Sequence, residues 1–442
     1  MATETGVAQA SKTSRLEFML RALRYRNYRL FFGGQIVSLV GSWMTQIAMA
    51  WLVYRLTQSP LMLGIVGFAG QIPAFLLGPI AGVLVDRWPC HRLLVVTQVL
   101  AMVQSFVLAL LTLSGHIEVW HVMVLIAFQG LVNAFDMPAR QAFVVEMVEN
   151  KDDLSNAIAL NSSMVHMARL IGPAVGGVLI AAVGEGWCFM LDAVSYIGVI
   201  AALLAMHVNA SPIQPSGARP FQQLKEGWRY ASGSPAIRTL LLLMVGMSLV
   251  GMPYGVLMPV IAVKVLHGGA HTLGWLMAAS GLGALTGALV LAARENIRGL
   301  AKAMPYCTGT FGVGLIVFGL SRWEVLSVIL LFGMGYAMIR QNASCNMILQ
   351  TIVDDDKRGR VMSFYTMPFG SLMVGAAADR FGVAATLAVC GVGCVMVAIW
   401  YHLRYPALRE VVLPIYASLG IVPEIATGMR GAAELTRPPL EQ

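Results

Sequence analysis

The chain has 442 residues, of which 57% are hydrophobic and only 12% charged, and its mean hydropathy is +0.72. Soluble domains carry about 25% charged residues, so this composition excludes an ordinary globular protein and requires a chain that crosses a membrane repeatedly. The formal net charge of +8 is accounted for by topology signals and an anionic inner leaflet, without nucleic acid as a partner.

Residues 1–27 read as a basic lead-in. Leu16, Met19, Leu20 and Leu23 share one face and Arg15, Arg21 and Arg24 lie elsewhere, the pattern of an amphipathic helix lying in the inner interface. Met1 to Arg15 is polar and the first apolar run is too long for the core of a cleavable signal, so it reads as a start-transfer helix. Apolar stretches long enough to cross about 30 Å as helices of roughly 20 residues follow at 28–54, 61–84, 93–114, 119–141, 156–183 and 187–207. Six more lie at 237–263, 273–293, 303–321, 324–349, 361–378 and 383–403. The expected fold is an all-α polytopic membrane protein of twelve transmembrane helices, because the alternation that a barrel needs is absent. The units are a first six-helix bundle (28–207), a cytoplasmic linker (208–236), a second bundle (237–403) and a cytoplasmic tail (404–442). The tail, broken by Pro406, Pro414 and Pro423, reads as a surface or disordered segment.

If the amino terminus is cytoplasmic, 24 Lys and Arg fall on inside segments and 4 on outside loops. That asymmetry places both termini in the cytoplasm and suits a multi-pass protein of a bacterial inner membrane.

Span one carries a polar stripe, Gln35, Ser38, Ser42, Thr45 and Gln46, that either faces a water-filled path or makes packing hydrogen bonds. Span two is rich in Gly and Pro and ends in GVLVDRWPCHR, from Gly82 to Arg92. In that short turn Asp86 suits the positive amino end of another helix, and Arg87 and Arg92 suit carboxylates, so the turn reads as a latch that breaks when helices move. Span four ends in NAFDMPARQAFVVE, Asn133 to Glu146. An acid at membrane depth is a functional-site candidate by default, while Asp136 and Arg140, at i and i+4, also suit a plain ion pair. A shift of 204 residues brings AMIRQNASCNMILQ, Ala337 to Gln350, onto this stretch, with Arg340 where Asp136 stood and with Gln341 and Asn342 beside it. Arg340 then has two readings, a partner for Asp136 across a pseudo-twofold axis or a cation for an anionic solute.

Span five reads ALNSSMVHMARLIGPAVGGVLIAAV. Arg169 is buried mid-helix and needs a partner or an anion. Asp192 in span six is about 13 Å away in depth at 1.5 Å per residue, which argues against that salt bridge and leaves Asp192, with Asp136, as a candidate for carrying protons. Pro173 kinks the helix and Gly172, Gly176 and Gly177 allow close approach.

Gly82-x-x-x-Asp86-Arg87 between spans two and three, with twelve spans in two halves, resembles the major facilitator superfamily. The run from Asn133 to Val148, Ala159-Leu-Asn161-Ser and the stretch from Gly172 to Gly177 resemble its transmembrane secretion effector branch, which includes enterobactin exporters. The resemblance covers roughly residues 20–405. It implies a monomeric secondary transporter exporting a small molecule, siderophore-like or drug-like, by antiport with protons, and it makes Gly172, Pro173, Gly176 and Gly177 similar to the motif of exporters. The substrate and proton path is then expected to use Gln35, Gln46, Asn133, Asp136, Arg169, Arg340, Gln341 and Asn342, and the two buried arginines favour an anionic solute. The sequence departs from the family pattern at Pro89, Cys90 and His91 in the latch and at Ile126, where proton-driven drug exporters carry Arg. It departs again at 361–378, a short helix eleven with Pro368 that leaves open a carrier of impaired activity.

An importer or facilitator is the alternative mechanism, and a polytopic membrane enzyme the alternative class. The eight histidines are scattered, the six cysteines lack metal or redox spacing, and there is no H-E-x-x-H, G-x-S-x-G or P-loop motif. No metal, cofactor, enzymatic activity or direct use of ATP is expected.

Overall fold

The computed structural model describes residues 21–85, 87–148, 150–206, 226, 229–292, 299–353 and 369–418. Among them, eleven helices are long and apolar enough to cross a membrane. The first half holds α1 (Arg26–Thr57), α2 (Pro60–Val85), α3 (Cys90–Leu113), α4 (Val119–Glu146), α5 (Lys151–Val183) and α6 (Glu185–Leu204). The second half opens with α7 (Pro235–Gly246) and continues with α8 (Ala270–Ala292), α9 (Leu300–Leu320) and α10 (Glu324–Ile352). It closes with α11 (Phe369–Phe381) and α12 (Val383–Ser418). The linker call at 208–236 and the first part of the short span, 361–368, lie almost wholly outside the described residues.

The two halves repeat one packing scheme. In the first, α2 packs on α4 and α3 on α6; in the second, α8 packs on α10 and α9 on α12. Glycine sets the closest of these approaches. A Cβ at Gly130 of α4 would sit 2.2 Å from the Gly70 carbonyl oxygen, and one at Gly335 of α10 would sit 2.0 Å from that of Ser280. The turns repeat as well: Gly184 alone joins α5 to α6 at φ 90°, and Gly382 alone joins α11 to α12 at φ 82°, values that L side chains resist.

Two seams join the halves, α5 on α8 and α2 on α11. In the first, Gly177 meets Gly274 backbone to backbone; in the second, Gly64 meets Gly375, and the Ser59 hydroxyl donates to Asp379 Oδ1 at 3.2 Å. These contacts lie toward the membrane face opposite the one carrying Arg21 to Arg24, hereafter the far face and the near face.

Three elements depart from the sequence expectation. Span seven is not one regular helix: from Met247 to Val265 it runs through π and 3-10 turns. Pro253 and Pro259 each remove a backbone donor and clash with the preceding turn, and the displaced carbonyls of Ser248 and Leu249 face Gly370 of α11. The last helix does not stop near residue 403 but continues to Ser418 through Pro406. Leu408 and Val412 bury against a cluster that includes Ile237, Leu240 and Leu300, so tertiary burial outweighs the proline cost. In the lead-in, Arg21–Arg24 forms a 3-10 turn docked on the protein with Ala22 fully buried, where an interfacial helix was expected; residues 11–20 lie outside the described residues.

Candidate functional site

Asp136 of α4 lies inside the first half, 6% exposed. Thr97 Oγ1 and Gln98 Nε2 of α3 donate to its Oδ1 at 2.9 and 2.7 Å, and Arg140, one turn on, pairs with Oδ2. The local ion pair therefore forms, and the pairing with Arg340 across the pseudo-twofold does not. A carboxylate with a cation and two neutral donors is well compensated, as burial demands. Its neighbour Asn133 is exposed and accepts from Gln129 Nε2 at 3.2 Å.

Arg340 of α10 donates through Nη1 to the Tyr336 hydroxyl at 2.8 Å, its guanidinium lying over that ring, and its buried Nε has no partner. It packs beside Gly287 of α8. Gln341, next along, is buried with its Nε2 unpartnered, and Asn342 accepts from Asn346 Nδ2 at 3.3 Å. Gln35 is buried in α1, whereas Gln46 is exposed.

Arg169 sits at the seam between the halves. Its guanidinium lies 5.3 Å from the centre of the Trp43 ring of α1, a cation–π arrangement. It lies within electrostatic reach of Tyr254 from span seven, whose hydroxyl is 3.2 Å from Ser280 Oγ of α8. Among the described residues it has no carboxylate partner; Asp192 lies against Gly41 of the same α1 turn that packs on Gly172, so the two are apart across α1 and not by the depth of about 13 Å counted along the spans. The glycine stretch of α5 explains how the arginine is held. A Cβ at Gly172 would lie 2.6 Å from Trp43 Cβ, Gly176 packs on Met44, and Gly177 lies against Gly274. One helix thus touches α1 on one side and the opposite half on the other, with Pro173 inside it.

Asp192 is the group whose weight sequence reasoning underestimated. It is 1% exposed at the contact of α6 with α1 and α3. Ser105 Oγ donates to its Oδ2 at 2.9 Å, while Oδ1 has no hydrogen-bond partner. The Ser42 and Thr45 hydroxyls of α1 stand within reach of the same carboxyl. The polar stripe of α1 thus spends Ser42 and Thr45 on α6. A cluster of Ser42, Thr45, Ser105 and Asp192 on three separate spans is invisible to a search along one helix.

On the near face, Gly82 has open space where a Cβ would stand, and Asp86 lies outside the described residues. Arg87 turns the chain through its N–H on the Leu84 carbonyl, and Arg92 is exposed. His91, where the family pattern differs, has Nε2 2.8 Å from the Leu203 carbonyl oxygen and so ties the turn to α6. A second near-face anchor went unread in the sequence: Asp153, at the start of α5, pairs with Arg21 at 3.0 Å and Arg24 at 3.2 Å and accepts from Tyr25 at 2.8 Å. That bond to Asp153 holds the Tyr25 phenol above its ordinary range. The signal was the basic spacing of the lead-in beside the acidic turn Lys151-Asp-Asp153.

Among the described residues no group of three or more His, Cys, Asp or Glu is placed to hold a metal ion.

Residues 19–414 match the family model described as transmembrane secretion effector. The staphyloferrin A transporter of Staphylococcus aureus is 26% identical over 384 residues, 85% of this chain and 95% of that protein. The enterobactin exporter EntS of Citrobacter koseri is 25% identical over 390 residues, covering 87% of this chain and 92% of its own. A crystal structure of a bacterial homolog of the human lysosomal transporter Spinster, inward-facing and unoccupied, superposes with a TM-score of 0.65 at 15% identity, covering 87% of this chain and 98% of that one. With two packed halves repeating one scheme and a family match along nearly the whole membrane domain, the chain belongs to the transmembrane secretion effector family of major facilitator transporters.

Proposed function

We propose that this transporter exports an anionic small molecule from the cytoplasm in exchange for protons, by alternating access between its two halves. The observation that carries the reading is Arg169: a guanidinium at the seam between halves, stacked on Trp43, beside Tyr254, with no carboxylate partner among the described residues. A cation at membrane depth is costly unless something neutralises it, and a planar guanidinium on an aromatic ring suits a carboxylate or catecholate. Arg340, bound among the described residues to Tyr336, offers a second cation in the other half. The relatives named for siderophores make a chelating anion a reasonable solute. Carriers of this kind bind near the midplane and rock about it. The far-face glycine seams, closed at Gly177–Gly274 and Gly64–Gly375, suit one end state of such a cycle. The described part of helix eleven is seated on α2 and on the irregular turns of span seven, which supports a working carrier over an impaired one. The excess of Lys and Arg on one side supports an inner-membrane protein with both termini cytoplasmic.

Everted vesicles with an imposed pH gradient, given labelled dihydroxybenzoate beside a panel of cationic drugs, test the reading. The expected result is uphill accumulation of the catechol anion and its loss in Arg169→Gln. Accumulation of the cations alone would refute the anionic reading, and movement only down the solute's own gradient would point to a facilitator.

A further inference from the structure

The geometry points to Asp192 as the site that takes up and releases the exchanged proton, with the α1 turn from Gly41 to Thr45 relaying its charge state to Arg169; this rests on the exporter reading above. Asp136 is the more conspicuous acid in the sequence, but its charge is already matched by Arg140. Among the described residues no cation is recorded against Asp192, Arg140 and Asp136 reaching only as far as Tyr196. Facing it from α1 are Ser42 and Thr45, from α3 Ser105, and on its own helix Tyr196, which bonds with Ser42 at 3.2 Å. No charged side chain of α5 is recorded against it. Buried among the Ser105, Ser42 and Thr45 hydroxyls, this carboxyl has no counterion recorded beside it to match a charge. Asp192 Oδ1 and Thr45 Oγ1 are both buried without a well-formed bond, so the carboxyl can change partners by a small rotation when it gains or loses a proton.

The relay follows from what one turn of α1 touches. A Cβ at Gly41 would lie 2.6 Å from Asp192 Oδ1, so the backbone of α1 lies directly on the carboxyl. Two residues on, Trp43 packs against Gly172 and lies over Arg169. Uptake adds a proton to a carboxylate oxygen, and release returns it as H⁺, with no other bond made or broken. Release leaves a negative charge against α1 that must be relieved by bringing water in or moving the turn. Either change shifts Trp43, and with it the face of the guanidinium open to an anion. Proton and solute then compete through α1 without touching each other, as antiport requires.

Two readouts on the full chain test this separately from the exporter reading. Infrared spectra of the purified protein in liposomes should show a protonated-carboxyl C=O band at neutral pH that fades on alkaline titration. That band should be absent in Asp192→Asn and kept in Asp136→Asn. Persistence of the same titrating band in Asp192→Asn overturns the proposal, whatever the protein transports. A band that disappears in the variant but never titrates in the parent also overturns it, since that acid would be permanently neutral. In vesicles, Asp192→Asn should lose uphill accumulation of dihydroxybenzoate while still exchanging labelled for unlabelled solute; undiminished uphill accumulation refutes the role in coupling. Should the parent move no anion uphill while its Asp192 band titrates, the exporter reading fails and the proton site stands.

Discussion

Asp136 and Asp192 are both buried acids of the first half, and both lie against α3, yet the protein treats them oppositely. Asp136 has two donors and an arginine one turn away on its own helix; Asp192 has only hydroxyls, Ser105 with Ser42 and Thr45, and a glycine backbone pressed on its other oxygen. The first is an ion pair within α4, tied to α3 by Thr97 and Gln98. The second is an acid without a counterion at a three-helix contact. Burial alone therefore does not mark a working carboxylate. What separates the two is whether the charge has been matched, because a matched charge is stable as it stands and an unmatched one must gain or lose a proton.

The sharpest way to break this contrast is Arg140→Gln, which strips the cation from Asp136. An uncompensated buried carboxylate costs about 3–5 kcal/mol, so thermal unfolding in detergent should fall markedly, and Asp136→Asn in the same chain should restore most of it. If the single change leaves the melting point untouched, Asp136 is not charged and the contrast collapses. Gly274→Ala is expected to cost somewhat less, about 1–3 kcal/mol for overpacking a backbone-to-backbone contact. Its clash is with Gly177, so accessibility labelling of a far-face cysteine placed at Ala270, buried in that same seam, should rise as the seam opens. Thr97→Val removes one of three groups on Asp136 and should cost about 1 kcal/mol. The smallest effect belongs to Asp192→Asn. The amide keeps the shape and the Ser105 bond, and no cation is orphaned, so stability should change by less than about 1 kcal/mol even as coupled transport is lost. A large destabilisation there, comparable with that of Arg140→Gln, would place a hidden cation near Asp192.

Much of the architecture was legible along the chain. Runs of apolar residues must become helices in a bilayer, since nothing else satisfies the backbone there, and the similarity of Asn133–Glu146 to Ala337–Gln350 announced two halves. Span seven and the tail misread for the same reason: proline was weighed locally. In span seven Pro253 and Pro259 break the helix, while in the tail Leu408 and Val412 bury well enough to carry it past Pro406. The candidate site was legible only as a set of residue types. Depth counted along the helices set Asp192 well away from Arg169, yet Gly172 and Asp192 both lie against the Val40–Met44 turn of α1; nothing along the chain says which neighbour a side chain meets.

By itself, then, the sequence determined the order of the apolar spans, their likeness in two halves, the family, and that Asp136, Arg169, Asp192 and Arg340 are costly at their depth. Only the tertiary structure decided which of those costs are met. It gave Asp136 to Arg140 and Thr97, left Asp192 facing α1, set Arg169 on Trp43 and docked Arg21 and Arg24 on Asp153. The physical reason is that hydropathy adds up along one helix, whereas a charge is compensated across helices. Which helices touch, and at what rotation, is set by glycine contacts such as Gly130 on Gly70 and Gly177 on Gly274, formed between residues far apart in the chain.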